Sequence, residues 1–232
     1  MNLSDIKQLI TDGEGDELEF KRKVSSPEKI AKTISAFANT KGGIILFGID
    51  DDGSLIGVES EKTEIDLIRS AGEYYCDPPV QLSFEYIPYH RREIIIVTIP
   101  ESEQKPHFVK SNTEEVPRAY IRVRDNSVIA SKEVIKVLRD ERPETGPLKL
   151  IIGENEKRLF NYLEMRDRIT VTQYSELVNV SHRRASRILT TLVRAGIIRI
   201  HTLEKEDYFT LASESEVFAK NHTKQFRTPR QH

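Results

Sequence analysis

The stretch from Arg142 to Pro147 contains two prolines and one glycine, and it constrains the fold more than any other feature of the sequence. Proline and glycine interrupt regular structure, so no helix or strand is expected to run through this stretch. The chain has 232 residues, which is enough for two domains of ordinary size. We therefore predict a front domain over 1–142, a linker over 143–149 and a second domain over 150–213.

Charge is distributed unevenly on the two sides of this interruption. Residues 1–145 carry 20 Lys and Arg against 27 Asp and Glu, whereas residues 146–232 carry 15 against 10. Basic residues concentrated in one part of a chain indicate a polyanionic partner, so we expect the second domain to contact nucleic acid. The final stretch, 214–232, is basic and poor in apolar residues, and we predict a disordered tail there.

The apolar runs of the sequence are short, and its only cysteine is Cys76. A membrane span needs about 20 consecutive apolar residues, and a single cysteine cannot build a disulfide framework. The first residues do not resemble a signal peptide, and no Gly-x-x-x-x-Gly-Lys-Ser/Thr motif for binding a nucleotide occurs. These observations predict a cytoplasmic protein with no membrane partner and no nucleotide cofactor.

Strand and helix patterns are mixed in the front part without strict alternation. The hydrophobic periodicity predicts a half-buried strand over 17–23, a helix after the cap Ser26, an apolar strand over 44–49, a hairpin over 81–99, a strand over 118–124 and a helix over 131–139. This order indicates an α+β domain with a mixed sheet.

The pattern of the back part predicts three helices followed by a hairpin. The helices are expected over 154–165, 171–178 and 182–195, and the two strands over 197–201 and 208–211. Three helices followed by a two-stranded wing are typical of the winged helix-turn-helix.

Acidic residues around the first strand form the first candidate site. Glu19 and Lys21 are two residues apart on one strand face, Glu14 precedes the strand, and Asp50 and Asp51 follow the apolar strand. Carboxylates hold Mg²⁺ or Mn²⁺ and a lysine offsets phosphate charge, so this set could form a metal cluster beside a phosphate. In the alternative interpretation, the Glu-x-Glu-x-Lys pattern is a solvated charged face and the Asp-Asp-Gly sequence is only a hairpin turn.

One face of the predicted strand over 118–124 carries three arginines and an aromatic ring: Arg118, Tyr120, Arg122 and Arg124. Like charges along one face repel each other, so this face needs an anion. A nucleic-acid backbone with bases stacked on Tyr120 satisfies that need. Pairing with the carboxylates of Glu85 or Glu93 on a neighbouring strand satisfies it equally well.

The predicted helix after Ser181 carries polar residues opposite its apolar stripe. They are His182, Arg183, Arg184, Ser186, Arg187 and Thr190. Arginines at a helix N-terminus oppose the helix dipole unless an anion binds there, and helix-turn-helix proteins place such residues in the major groove. Winged helices also serve as dimerisation or protein-docking modules, which is the alternative for this helix.

Several sequence blocks of the front part resemble the Schlafen AlbA_2 domain. They are the Gly-Glu pair at 13–14, Leu-Glu-Phe-Lys at 18–21, Ala-Phe-Ala-Asn-Thr-Lys-Gly-Gly at 36–43, Phe-Gly-Ile-Asp-Asp-Asp-Gly at 47–53, and shorter matches at 105–107, 120–123 and 126–127. The resemblance covers roughly residues 10–140 and implies a nucleic-acid-binding α+β fold.

The resemblance also implies an activity and an assembly. Schlafen nucleases cut structured RNA such as tRNA at a metal site made by two glutamates five residues apart and a downstream aspartate. Glu14, Glu19 and Asp51, or else Asp50, match that pattern. Because the Schlafen core pairs two lobes and this chain has a single copy of the domain, the resemblance implies a homodimer.

The leading hypothesis from the sequence is a nucleic-acid-binding, metal-dependent endonuclease that acts on RNA or DNA. In it Glu14, Glu19 and Asp51 or Asp50 bind Mg²⁺ or Mn²⁺, and Lys21 assists. The alternative is a DNA-binding transcriptional regulator without catalysis.

Overall fold

A computed structural model describes residues 1–111, 115–140, 152–202 and 206–212. The chain divides into two compact units, Met1–Ala130 and Ser131–His232. The predicted linker over 143–149 and the predicted tail over 214–232 lie outside the described residues. Within the described ranges, no helix is both long and apolar enough to cross a membrane.

The front unit contains two four-stranded sheets. The first has the order β1-β2-β5-β4 and comprises β1 (Leu18–Lys21), β2 (Gly43–Phe47), β4 (Ser83–Tyr89) and β5 (Arg92–Ile99). The second has the order β3-β6-β7-β8 and comprises β3 (Cys76–Asp77), β6 (Phe108–Val109), β7 (Arg118–Val123) and β8 (Asn126–Ile129). Strands β1 and β2 are parallel, and the other paired strands are antiparallel. The predicted α+β class with a mixed sheet is confirmed.

Helices cover both faces of the first sheet. They are α1 (Leu3–Asp12), α2 (Pro27–Asn39) and α3 (Glu61–Ser70), which continues into a π-helical turn at Ala71–Tyr75. Helix α1, which the sequence patterns did not predict, buries Ile6 against one face of the sheet. Helix α2 packs between the two sheets, because its apolar residues share one core with residues of both sheets.

Local sequence determines where α2 begins and ends. The Ser26 hydroxyl accepts a hydrogen bond from the Lys29 N–H at 3.2 Å, and Pro27 occupies the first position of the helix. After the helix, Gly42 has φ +77°, and a Cβ there would lie 2.6 Å from the Ile99 carbonyl oxygen. Only glycine therefore allows the chain to turn from α2 directly into β2.

Asn39, the last residue of α2, ties the helix to the second sheet. Its side-chain amide donates to the carbonyl oxygens of His107 at 3.0 Å and Tyr120 at 2.8 Å. Its amide oxygen accepts from the His107 N–H at 2.7 Å. Asn39 is 1% exposed, so these bonds satisfy backbone groups that water cannot reach.

The back unit contains four described helices and one hairpin. The helices are α4 (Lys132–Asp140), α5 (Glu154–Arg166), α6 (Val171–Val178) and α7 (His182–Arg194), and the antiparallel strands are β9 (Ile198–His201) and β10 (Tyr208–Leu211). The core includes Leu159, Tyr174, Leu189 and Phe209, all fully buried. The helices and strands predicted for the back part are confirmed, each within two residues of its expected ends.

Helix α4 belongs to the back unit, whereas the sequence analysis placed it in a front domain over 1–142. Val137 of α4 joins the core of the back unit, and Lys136 of α4 donates to the Ser186 hydroxyl of α7 at 2.6 Å. The boundary between the units therefore lies after Ala130. A stretch rich in proline and glycine marks where an element stops, but it does not determine which core the preceding helix joins.

The charge asymmetry does not depend on this change of boundary. Residues 1–130 carry 16 Lys and Arg against 23 Asp and Glu, and residues 131–232 carry 19 against 14. The front unit is therefore acidic and the back unit basic, as the sequence indicated.

We predict that Asn39→Ala lowers the free energy of unfolding of the front unit by at least about 2 kcal/mol, because it leaves buried backbone groups without partners. Chemical denaturation followed by circular dichroism measures this loss. Asn126→Ala is the matched control, because Asn126 is exposed and its amide bonds only to Asp125 among the described contacts; a change within about 0.5 kcal/mol is expected there. Equal effects of the two substitutions would contradict this role of Asn39.

Candidate functional site

Glu19 and Arg122 form a buried ion pair between the two sheets of the front unit. Glu19 lies on β1, Arg122 on β7, and Arg122 Nη1 is 2.5 Å from Glu19 Oε2. The two residues are 7% and 6% exposed. The guanidinium also lies over the Phe37 ring of α2, 4.9 Å from the ring centre. The pair therefore joins β1 to β7 beside the C-terminal part of α2.

Arg122 uses each of its three side-chain nitrogens inside the unit. Nε donates to the Gly15 carbonyl at 3.0 Å, Nη2 to the Leu18 carbonyl at 3.3 Å and Nη1 to the Ser127 hydroxyl at 3.3 Å. These bonds link Gly15 and the start of β1 to strands β7 and β8. A guanidinium engaged in this way is not available to a nucleic-acid backbone, which corrects the prediction for Arg122.

Of the other residues on the predicted arginine face, Tyr120 packs inward and the two remaining arginines do not. Tyr120 is 6% exposed, and Lys32 of α2 lies 5.7 Å from the centre of its ring, so no base can stack there. Arg118 and Arg124 are exposed at the two ends of the strand. Alternation along a strand shows which side chains share a face, but it does not show whether a helix covers that face.

The alternative prediction, that a carboxylate pairs with this face, was correct for Arg122, but the predicted partners were wrong. Glu85 and Glu93 lie on β4 and β5 of the first sheet, so they are not cross-strand neighbours of β7. The carboxylate that pairs with Arg122 comes from Glu19, a residue that the sequence analysis assigned to a metal site.

Three carboxylates of the predicted metal site, those of Glu14, Glu19 and Asp50, have different partners. Glu19 also forms an ion pair with Lys21, and Glu14 Oε1 accepts from the Phe20 N–H at 2.6 Å. Asp50 Oδ2 lies 3.2 Å from Arg22 Nη1, and its Oδ1 accepts from the Asp51 N–H at 3.1 Å. Strands β1 and β2 lie side by side, but Glu14, Glu19 and Asp50 each contact a different group.

The arrangement does not fit Mg²⁺ or Mn²⁺. In the part of the chain that the structure describes, no group of three or more His, Cys, Asp or Glu side chains is placed to hold a metal ion. A metal at Glu19 would have to compete with two cations, Arg122 and Lys21. If Glu19 bound the metal instead of Arg122, the buried guanidinium would be left without a counter-charge. The predicted centre of Glu14, Glu19, Lys21, Asp50 and Asp51 is not supported by this geometry.

The aspartate run instead forms a turn, as the alternative interpretation had it. The Gly53 N–H donates to the Asp50 carbonyl at 2.8 Å, and the Asp50 N–H donates to the Ser54 carbonyl at 2.9 Å. Hydrogen bonds from the hydroxyl and the N–H of Ser54 lower the pKa of the Asp52 carboxyl. Turn hydrogen bonds therefore determine the conformation of the aspartate run.

Helix α7 presents four of its predicted polar residues to solvent: His182, Arg183, Arg184 and Arg187 are exposed. The Ser181 hydroxyl caps the helix by accepting from the Arg184 N–H at 3.3 Å. The N-terminal half of α7 therefore has a cationic surface without an acidic residue of its own.

Thr190 does not belong to that surface, which corrects its assignment. It is 4% exposed, and Ser186 is 1% exposed. The Ser186 hydroxyl donates to Glu133 Oε1 of α4 at 2.9 Å, and the Thr190 hydroxyl donates to the Ser186 carbonyl at 2.7 Å. The face of α7 that contains these two residues is covered by α4, which the sequence analysis had assigned to the other domain.

Two cations of α4 were missed as candidate binding residues. Lys136 and Arg139 line a groove of about 530 Å³ together with Arg183, Arg184 and Arg187 of α7. Their spacing of three residues, on a helix whose buried residues include Val134 and Val137, was the available sequence signal. That signal does not reveal which helix lies opposite.

Comparison with known proteins supports the resemblance seen in the sequence. Residues 14–131, about half of the chain, match the family model described as Schlafen, AlbA_2. Among solved structures, the N-terminal domain of a RecG-related protein from Nitrosomonas europaea is similar, with 16% identity, a TM-score of 0.43, and coverage of 66% of this chain and 96% of that one. The DIP2311 protein from Corynebacterium diphtheriae is similar at 15% identity with a TM-score of 0.44, covering 78% of this chain and 32% of that one.

We predict that Arg122→Ala lowers the free energy of unfolding by about 3–5 kcal/mol, because it leaves Glu19 buried without its main counter-charge. Arg124→Ala is the control, since Arg124 is exposed and bonds to Asp16 through its backbone N–H; a change within about 0.5 kcal/mol is expected. Urea titrations of both variants measure the difference. A stably folded Arg122→Ala variant that loses only nucleic-acid affinity would contradict the structural role.

Proposed function

Because the chain belongs to the Schlafen AlbA_2 family, we propose that it binds nucleic acid, and that it does so without metal-dependent cleavage. The observation that carries this proposal is the engagement of Glu19 by Arg122 at 2.5 Å. That contact gives the glutamate a structural role in place of a catalytic one. The proposal agrees with the regulatory alternative from the sequence and sets aside the endonuclease.

We propose that the back unit is a winged helix-turn-helix and that α7 carries the nucleic-acid contact. Three helices, α5 to α7, precede the β9–β10 hairpin. Asn179, in the left-handed conformation with φ 53°, ends α6 and leads into the turn before α7. A bridge between Ile169 and Phe209 attaches β10 to the segment before α6. This order of elements is typical of the winged helix.

Charge supports the choice of the back unit over the front unit. Residues 131–232 carry an excess of five basic residues over acidic ones, 19 against 14. The exposed arginines of α7 lie at its N-terminal end, where cations are unfavourable unless an anion is close. Phosphate groups supply such an anion, and they provide most of the affinity in protein–nucleic acid complexes.

Dimerisation and the choice between RNA and DNA stay predictions from the sequence. A homodimer would supply the second lobe that the resemblance implies. Mass photometry of the purified chain at nanomolar concentration measures the assembly directly.

The proposal is tested by binding and cleavage assays on structured RNA and on duplex DNA. We expect Arg187→Gln to weaken binding and to lower the slope of log K against log salt by about 0.7–0.9, because one phosphate contact is lost. Arg158→Gln, an exposed arginine of α5, is the matched control and should leave the slope unchanged. Fluorescence anisotropy at several salt concentrations measures both slopes.

The cleavage assay uses the same nucleic acids with Mn²⁺ or with EDTA, and we expect intact substrate in both. Glu14→Gln is the informative variant, because glutamine keeps an acceptor for the Phe20 N–H while removing the charge. Cleavage by the wild type that requires Mn²⁺ and disappears in Glu14→Gln would overturn the proposal in favour of the endonuclease.

A further inference from the structure

A groove between α4 and α7 brings five cations together in the back unit. Lys136 and Arg139 form one side, and Arg183, Arg184 and Arg187 form the other. The volume of about 530 Å³ lies within the range of roughly 300–1,000 Å³ that ligand sites occupy. The remaining lining residues are Ser181, Thr190 and Thr191, so no carboxylate lines the groove among the described residues.

Positive charges on a concave surface reinforce one another and create a stronger local potential than the same charges on a flat surface. Lys136 is partly neutralised by Glu133, whose carboxylate lies 3.8 Å away. Arg183, Arg184 and Arg187 are exposed arginines with no carboxylate within ion-pair distance among the described residues. The three arginines of α7 therefore give the groove a positive charge that an external anion can offset.

The groove favours a polymer over a small enclosed ligand. Arg139 and the three arginines of α7 are exposed, so a polymer can reach these side chains from solvent. Arg183 and Arg187 are one helical turn apart on α7, as are Lys136 and Arg139 on α4. Two rows of cations facing each other across an open groove match the regular phosphates of a nucleic-acid backbone.

The position of α4 also limits what α7 can read. A recognition helix that enters the major groove needs the N-terminal part of its outer face free of protein. In this chain Ser186, in the second turn of α7, is 1% exposed and is bonded to Glu133 and Lys136 of α4. Helix α4 therefore withdraws the Ser186 face of α7 from contact with bases, and the exposed residues that remain include the cations Arg183, Arg184 and Arg187.

We propose that the α4–α7 groove binds the phosphodiester backbone of nucleic acid and makes α4 part of the binding site, so that binding depends on phosphates and not on base sequence. This inference rests on the proposed function and adds to it the contact mode and two residues, Lys136 and Arg139. Both residues belong to a helix that precedes the three helices of the winged-helix arrangement.

The test compares two double variants of the full chain that remove the same charge. Lys136→Gln/Arg139→Gln removes two cations from the groove, and Lys157→Gln/Arg158→Gln removes two exposed cations from α5. We expect the groove variant to lower the slope of log K against log salt by about 1.8 on duplex DNA, as two phosphate contacts are lost. The α5 variant should match the wild type.

Sequence dependence is measured with three duplexes of equal length and unrelated sequence, and with a structured RNA. We expect wild-type affinities for the duplexes to agree within about twofold. A preference of tenfold or more for one duplex would show base readout and overturn the proposal. Inorganic pyrophosphate serves as the small-anion probe. If pyrophosphate at the same concentration as the duplex displaces the duplex from the groove, the groove is a small-ligand site and the proposal is overturned.

The outcomes separate this inference from the proposed function. If the wild type binds no nucleic acid, the proposed function fails. If the wild type binds and Arg187→Gln weakens it, while the α4 variant binds with an unchanged salt slope, only the role of α4 is overturned. If the double variant folds poorly, the single variant Arg139→Gln, at an exposed position, replaces it. The slope of log K against log salt should then fall by about 0.9.

Discussion

The buried ion pair between Glu19 and Arg122 determines what the front unit can do. Removing two charges from water costs several kcal/mol per ion, and the ion pair together with the hydrogen bonds of Arg122 offsets part of that cost. Arg122 bonds to two carbonyl oxygens and a hydroxyl in addition to the carboxylate. Because the partners come from different sheets, the pair fixes β1 against β7 and cannot at the same time hold a metal ion or a phosphate.

Local sequence was sufficient to predict the helices and strands of the back part and the position of α2. Its start depends on the cap at Ser26 and on Pro27, and its end on the left-handed Gly42, all of which act within a few residues. Strands β1 and β2 were also predicted from their patterns, and the structure pairs them in parallel. Such features depend on backbone preferences that neighbouring residues set.

The candidate sites were harder to predict because they depend on contacts between residues far apart in sequence. Alternation placed Tyr120 and Arg122 on one face correctly, but only the packing of α2 decides that this face is buried. Thr190 and Ser186 were expected on an open surface, and α4 covers them. In both cases the sequence pattern did not show that a helix packs on the polar face and buries it. The same packing that buries Thr190 brings Lys136 and Arg139 beside the arginines of α7.

The most direct test of this account is a Mn²⁺ titration of the isotopically labelled protein followed by amide line broadening in NMR spectra. If Glu19 is held by Arg122, the amides of Glu14, Phe20 and Asp51 should broaden no more than that of Glu73, an exposed acidic residue elsewhere in the front unit. Saturable broadening confined to Glu14, Phe20 and Asp51, and lost in Glu14→Gln, would show a metal site there and contradict the account.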